Sequence, residues 1–154
     1  MAGVSLELKG GANLARYLNG LASRVGNANV RVGFLENADY PAKFGKPALR
    51  VAQVAFWNEF GTSRIPARPF FRTMIRTKSS GWGPKLANVL KSTDYDGGRS
   101  MALMGQEIQG QLQERINQGF PPPNAPSTVA KKGFDHPLID KAVMLRAVDF
   151  EVMR

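Results

Sequence analysis

The chain has 154 residues, of which 43% are hydrophobic and 21% charged, and this balance is typical of a globular domain with a sizeable core. It contains no cysteine, which excludes disulfide frameworks, thiolate zinc sites and cysteine nucleophiles. Its formal net charge of +9 is concentrated in residues 43–99, where eleven Lys or Arg stand against three Asp or Glu. Such a basic region favours DNA, or an acidic surface of a partner protein, as its ligand.

The N-terminal part predicts a strand, a helix and a second strand. Residues 4–8 alternate apolar and polar side chains, which indicates a strand with one buried face. Apolar residues then recur at helical spacing over 14–25, and Gly26 is placed to end that helix. Residues 29–36 alternate again and predict the second strand. We expect these three elements to cover one another.

The next segment predicts a loop and a helix. Residues 36–48 are rich in Pro, Gly and Asn, which is typical of a loop. This loop carries Tyr40 and Phe44, which are unusually large apolar groups for a connector, so we expect both at an interface. Residues 49–60 have a helical pattern, and Gly61 follows as a natural C-terminal residue.

Prolines restrict the segment that follows Gly61. Ile65 and Arg68 each precede a proline, so this stretch must be extended. Pro69 suits the first turn of a helix that continues to about residue 78. The sequence SGWGPK is expected to interrupt that helix before another short one begins near Leu86.

The most regular pattern lies over residues 97–119, where apolar side chains recur every three or four positions. This spacing predicts an amphipathic helix of about five turns. Residues 121–137 form a long proline-rich loop or arm, and loops of this length are usually functional or disordered. Asp140 can cap a short helical turn, and residues 147–153 predict a final strand.

Together these elements predict one α+β domain over residues 1–154. We expect a small, mainly antiparallel sheet of three to four strands with helices packed on one face and long loops at the interfaces. The loops 36–48 and 121–137 are the candidate interface arms. The N-terminus lacks a basic segment followed by an apolar run, and no stretch approaches the roughly 18 to 20 apolar residues that span a bilayer. We therefore expect no membrane and a protein made in a cytoplasm.

Few residues suggest catalysis. His136, the single histidine, lies in a Gly- and Pro-rich loop near Asp135 and Asp140. We interpret these three as loop residue, turn former and helix cap. No Gly-x-Ser-x-Gly turn is present, and the GWG and GGRS runs lack the other residues of a phosphate-binding loop. We expect no enzyme, no cofactor and no metal site.

Four arginines recur every four residues and are possible contacts for DNA or an acidic partner. They are Arg64, Arg68, Arg72 and Arg76. We expect the last three to share one face of the helix that starts near Pro69. Like charges at this spacing repel by a few tenths of a kcal/mol per pair, so the pattern favours an anion or acidic neighbour that accepts the charge. The alternative is chance placement on the surface.

Five aromatic residues lie in the same stretch and cannot all face one small core. They are Phe56, Trp57, Phe60, Phe70 and Phe71. Aromatic residues and Arg are enriched at interface hot spots. We interpret residues 56–71 as a rigid docking element, in which some aromatics anchor the loop and others are covered by another subunit.

The sequence NEFGTSRIPARPFFRTMI, at 58–75, closely resembles the signature segment of a family of tail-completion and neck proteins from long-tailed bacteriophages. Members typically carry an Asn-Glu-Phe-Gly run, a short turn and an Ile-Pro-x-Arg-Pro-Phe run. Residues 121–140, PPPNAPSTVAKKGFDHPLID, are similar to a second family segment with Asn-x-x-x-Thr, a Lys-rich stretch and Pro-Leu-x-Asp. The two segments cover 38 of 154 residues. Lys141 and Ala142 replace the Thr-Gly of many relatives, which puts the turn before the last strand in question.

The resemblance implies a structural virion protein, similar to tail terminators in fold, that is assembled in the host cytoplasm. It would form a ring, commonly a hexamer, at the neck between the head-closure or connector protein and the tail tube, with DNA passing through the lumen without sequence recognition. The docking role would fall on Asn58, Glu59, Phe60, Gly61, Thr62, Ile65, Pro66, Arg68, Pro69 and Phe70. Two alternatives stay open: a tail terminator or other minor tail protein, and a nonspecific nucleic-acid-binding protein that uses residues 43–99.

Overall fold

The structure is a computed structural model that describes residues 10–35, 38–42, 45, 47–138 and 142–153. In these ranges the helices are α1 (Gly11–Val25), α2 (Val51–Phe60), α3 (Phe70–Lys78), α4 (Trp82–Ser92), α5 (Gly97–Asn117), α6 (Pro126–Lys132) and α7 (Val143–Arg146), with a 3-10 turn at Ser79–Gly81. The strands are β1 (Asn29–Phe34), β2 (Asp39–Tyr40), β3 (Leu49–Arg50) and β4 (Val148–Met153). The strand predicted over 4–8, the interface residue Phe44 and the helix cap Asp140 lie outside the described residues.

The α+β class is confirmed, since 59% of the structure is helical and 12% is strand. The single sheet of three to four strands is wrong for the described residues, which form two separate two-stranded antiparallel sheets. β1 pairs with β4, from Asn29 opposite Met153 to Phe34 opposite Val148. β2 and β3 pair over only two residues each. Prolines follow β2 and precede β3 closely, and a proline has no N–H to extend a ladder.

The long helix α5 packs against both strands of the β1–β4 sheet. Gly105 makes this approach possible, because a Cβ at that position would collide with the ring of Phe150. Asp96 caps the helix, with a side-chain oxygen that accepts a hydrogen bond from the Arg99 N–H at 2.9 Å. The core around α5 consists of Val51, Ala55, Phe70, Met74, Leu112, Ile116, Leu138, Met144 and Val148.

Two predicted loops contain more helix than expected. The SGWGPK interruption is only a three-residue 3-10 turn, and α4 begins at Trp82, whose indole donates to Gln111 Oε1 at 2.8 Å. The arm over 121–137 contains α6, because Pro126 suits a first helical position and Gly133, with φ of 81°, supplies the left-handed C-terminal residue.

α1 forms where the sequence predicts it, but it does not cover the sheet as expected. Residues 11–20 are exposed throughout, and only Leu21 and Val25 of this helix are half-buried. Gly26 follows with φ of 58°, as its position after the last apolar residue indicated. The apolar stripe of α1 is therefore left uncovered by the described residues.

Candidate docking surface

The segment that resembles the phage family forms α2, a tight turn and α3. The Arg68 N–H donates to the Asn58 carbonyl at 2.6 Å, and the Asn58 amide donates to the Val54 carbonyl at 2.9 Å. Gly61 has φ of 79°, and a Cβ there would lie 2.9 Å from the Ala67 nitrogen. Only glycine fits both the conformation and the space. The two ends of the turn are thereby held together.

Thr62 shapes the turn itself. Its hydroxyl accepts hydrogen bonds from the N–H groups of Arg64 at 3.2 Å and Ile65 at 3.0 Å. Its own N–H donates to the Ile65 carbonyl at 2.8 Å. The turn thus satisfies its own polar groups, which is the usual role of Ser and Thr in such turns.

Glu59 is 6% exposed and its carboxylate lies at the N-terminus of α3. It accepts hydrogen bonds from the N–H groups of Phe71 at 2.9 Å and Arg72 at 3.1 Å. Pro69, in the capping position, makes no side-chain hydrogen bond to the helix. The carboxylate of one helix therefore caps the next, where the helix dipole also favours negative charge.

Arg72 pairs with Glu59. Glu59 is therefore an acidic neighbour of the kind that the arginine pattern predicted. The Arg72 Nε donates to Glu59 Oε1 at 2.8 Å and its Nη2 to the Glu59 carbonyl at 3.2 Å. The guanidinium also lies 4.7 Å from the centroid of the Phe60 ring. The centroid of the Phe60 ring lies 4.6 Å from the centroid of the Phe56 ring. These two contacts hold the Phe60 ring in place.

Phe56 and Phe60 form the rim of an apolar groove of about 220 Å³. They are 59% and 52% exposed, although both are large aromatics. Phe34, Phe70 and Phe71 line the same groove, and Phe70 is fully buried beneath it. We call this surface the aromatic groove.

Arg68 connects the turn to the arm at 121–137. It is 5% exposed, and its Nε and Nη2 donate to the carbonyls of Pro122 at 2.9 Å and Pro123 at 3.1 Å. Burial lowers the pKa of Arg68, and the nearby Asp135 carboxylate opposes this shift. Asp135 also accepts a hydrogen bond from the Asn124 N–H at 3.1 Å, which closes the base of the arm.

One expectation about the arginines is wrong. α3 begins at Phe70, so Arg68 precedes the helix and does not share a face with Arg72 and Arg76. Its guanidinium points into the molecule. There it donates hydrogen bonds to the backbone carbonyls of Pro122 and Pro123, which lie in the arm outside the helices. Arg64 and Arg76 are exposed.

The residues to which the resemblance gave a docking role thus divide into three groups by burial. Glu59, Arg68 and Phe70 are buried and hold the segment together. Half-buried positions are Asn58, Gly61, Ile65 and Pro69, and exposed ones are Phe60, Thr62 and Pro66. Tyr40, predicted at an interface, packs partly buried against the core. Phe56 belongs to the predicted docking element 56–71 but not to the residues that the resemblance marked for docking, and its spacing of four from Phe60 places both on one face of the helix.

His136, the single histidine, lies in the arm at 121–137 and makes local contacts. His136 Nδ1 lies 3.1 Å from the Pro137 carbonyl, and the imidazole packs beside Gly119. Among the residues that the structure describes, no three His, Cys, Asp or Glu side chains come together as a metal site would need. No helix in the described ranges combines the length and apolarity needed to cross a membrane.

Comparison of the chain with protein-family models, curated proteins and solved structures gives no match.

Proposed function

We propose that this protein is a structural virion component that forms a ring at the head–tail junction of a long-tailed phage. The observation that carries the proposal is the self-locked unit from Asn58 to Arg72, which holds Phe56 and Phe60 outward at the aromatic groove. This unit coincides with the segment that resembles phage neck and tail-completion proteins. Its buried polar groups maintain a shape, and its exposed groups are of the kind that proteins dock on.

A rigid docking surface suits an assembly protein. The turn is fixed by Gly61 and by the Thr62 hydrogen bonds, so few conformers are lost when a partner binds. The exposed aromatic pair supplies apolar area in two stiff side chains, which is the usual composition of an interface hot spot. The free energy of binding is therefore not reduced by a cost of ordering the loop.

The proposed partners follow from the same arrangement. Other copies of the chain would complete the ring, commonly a hexamer in the family it resembles, and the arm at 121–137 would reach the head-closure or connector protein or the tail tube. Arg64 and Arg76 remain exposed and would attract DNA in the lumen weakly and without sequence recognition. The mature location would be the neck or the top of the tail. No catalytic step enters this function.

Two alternative functions are compared with the proposed ring component. A tail terminator or another minor tail protein would use the same ring and docking surfaces. A nonspecific nucleic-acid-binding protein would use the basic residues of 43–99, but several of these already have intramolecular partners. Arg72 pairs with Glu59, Lys85 with Glu107 at 2.9 Å, and Arg68 is buried. This pairing favours the assembly function.

The test is the mass per particle from light scattering, measured for the purified protein alone and with purified tails of a long-tailed phage. We expect a ring in solution, or a monomer that becomes a stoichiometric ring on tails. A monomer that ignores tails would contradict the proposal. If such a monomer bound any duplex DNA, with a logarithmic affinity falling by roughly 0.9 per log unit of salt for each phosphate contacted, the nucleic-acid alternative would replace it.

A further inference from the structure

The N-terminal helix α1 carries an apolar stripe that the described residues leave uncovered. Leu14, Tyr17 and Leu18 are 58%, 62% and 52% exposed. They lie at helical spacings of three and four, so they share one face. The helix is attached to the body at its C-terminal end, where Arg24 Nη1 pairs with Asp94 Oδ2 at 2.7 Å. A helix of 15 residues is marginal by itself in water, so a covering surface would stabilise it.

The second uncovered surface is the outer side of α2. Val51 and Ala55 on the inner side are buried in the core, whereas Phe56 and Phe60 on the outer side are exposed. A helix that is apolar all round is normally buried on all sides. The residues that the structure describes cover only the inner side of α2, and the aromatic groove lies on the outer side.

Charge determines what can cover these two surfaces. With a net charge of +9, two copies repel each other wherever their basic residues approach. Residues 11–20 contain a single charge, Arg16, and α2 contains a single charge, the buried Glu59. Arg72 also lines the aromatic groove, where it pairs with Glu59. The stripe of α1 and the outer side of α2 are thus two surfaces on which copies can meet with little repulsion.

The spacing of the side chains on the two surfaces is compatible with helix–helix packing. Leu14 and Leu18 form a ridge of two side chains four residues apart, and Phe56 and Phe60 form another on the partner surface. Ridges of this spacing interdigitate in the commonest mode of helix packing. The groove of about 220 Å³ is smaller than the roughly 300–1,000 Å³ of small-molecule pockets, so it suits inserted side chains better than a separate ligand.

We propose that α1 of one copy docks with its Leu14–Tyr17–Leu18 stripe in the aromatic groove of the next copy. The two surfaces differ, so the contact is heterologous, and its repetition gives a closed ring or an open chain. The inference rests on the proposed function only for closure of the ring, and the contact itself can be tested without phage components.

The contact is weak when made once. Five side chains that are each slightly more than half exposed, at about 150–250 Å² per aromatic and somewhat less per leucine, offer roughly 500 Å² of apolar surface in total. Stable interfaces bury about 1,200–2,000 Å². A pair of copies therefore dissociates readily, while a closed ring, in which every copy makes two such contacts, gains from avidity.

The experiment is disulfide trapping, for which a chain without cysteine is well suited. Leu18→Cys and Phe60→Cys are prepared as separate proteins, one with a longer tag, and are oxidised alone and as a mixture. Leu14→Cys and Phe56→Cys are added so that each stripe cysteine is mixed with each groove cysteine. We expect the tag-shifted mixed dimer to exceed either homodimer several-fold for Leu18 with Phe60 and Leu14 with Phe56, or for the two crossed pairs, depending on the direction of α1 in the groove. Leu18→Cys mixed with Asn88→Cys, an exposed position on α4, is the matched control and should give no excess.

Three results would overturn the inference. One is a mixed dimer no more abundant than in the Asn88→Cys control, at a concentration where the unmodified protein associates. Another is a Leu18→Cys homodimer as the main product, which would make the contact symmetric. The third is slow alkylation of Leu18→Cys in a dilute monomer, which would mean that another part of the same chain covers the stripe. None of these results depends on tails, so a ring on tails without the mixed dimer would preserve the proposed function and reject this interface.

Discussion

Two exposed apolar surfaces of this chain are held in place in very different ways. The outer side of α2 belongs to a unit fixed by long-range hydrogen bonds, in which the Glu59 carboxylate caps α3 and Gly61 permits the turn. α1 is attached near its C-terminal end through the Arg24–Asp94 pair, and residues 11–20 are exposed. Exposed apolar area alone therefore does not define a docking surface, because the structure that holds this area determines how it binds.

A preformed groove and an adaptable helix have different energetic roles. The groove loses little entropy on binding, whereas α1 is stabilised mainly when something covers its stripe. Changes within the unit around Glu59 should therefore lower the free energy of unfolding of the monomer. Changes on the α1 stripe should leave it almost unaltered and act on assembly.

The largest expected effect on the free energy of unfolding comes from Glu59→Ala. It removes the cap of α3 and the partner of Arg72, and we expect the free energy of unfolding to fall by about 2–4 kcal/mol. Urea unfolding followed by circular dichroism measures it. The matched control is Glu114→Ala, because Glu114 is an exposed acid whose pair with Lys78 spans 3.9 Å. A loss in Glu59→Ala no greater than in this control would show that the buried carboxylate does not hold the unit.

Gly61→Ala should destabilise the same unit by a smaller amount. The new Cβ would meet the backbone of Ala67 at a residue with φ of 79°, which costs about 1–3 kcal/mol. Gly110→Ala is the control, since it lies within α5 with open space around it, and should be neutral or stabilising by up to about 1 kcal/mol. Equal denaturation midpoints for the two variants would contradict a glycine requirement at residue 61.

Arg68→Met should weaken the link between the turn and the arm. It leaves the carbonyls of Pro122 and Pro123 without their donors, at a cost of about 1–2 kcal/mol. Limited chymotrypsin digestion, which cuts at exposed aromatics such as Phe134, should cleave the arm several-fold faster than in the parent chain. Arg76→Met, the same exchange at an exposed arginine of α3, should not change the cleavage rate.

Local pattern was a good guide to the elements but not to their environment. The periodicity over 97–119 and the glycines at 26 and 61 located α5 and the ends of α1 and α2, because backbone preferences act over a few residues. The burial of Arg68 depends on carbonyls more than fifty residues away, so the four-residue arginine spacing could not reveal it. The separation into two small sheets likewise depends on which strands meet in space.

The burial of the predicted docking residues also could not be read from the sequence. Their residue types suggested a surface, yet Glu59 and Phe70 are buried because capping α3 and filling the core require them there. A motif can be read from the sequence as important without showing whether its residues contact a partner or support the ones that do. The exposed Phe56 lies two residues before the resembling segment begins, so it is included only in the wider docking element 56–71.

The smallest expected effect on monomer stability comes from Leu18→Ser on α1, and it separates the two surfaces most clearly. More than half of the Leu18 side chain is already in water, so the free energy of unfolding should change by less than about 0.5 kcal/mol. Self-association should nevertheless weaken at least tenfold, because the lost apolar contact recurs at every junction of the ring. Sedimentation velocity over a concentration series measures this, with Asn88→Ser as the control at an exposed polar position. If Leu18→Ser instead lowered monomer stability as much as Gly61→Ala, the stripe would be packed within its own chain, and α1 would belong with α2 among the fixed parts of the molecule.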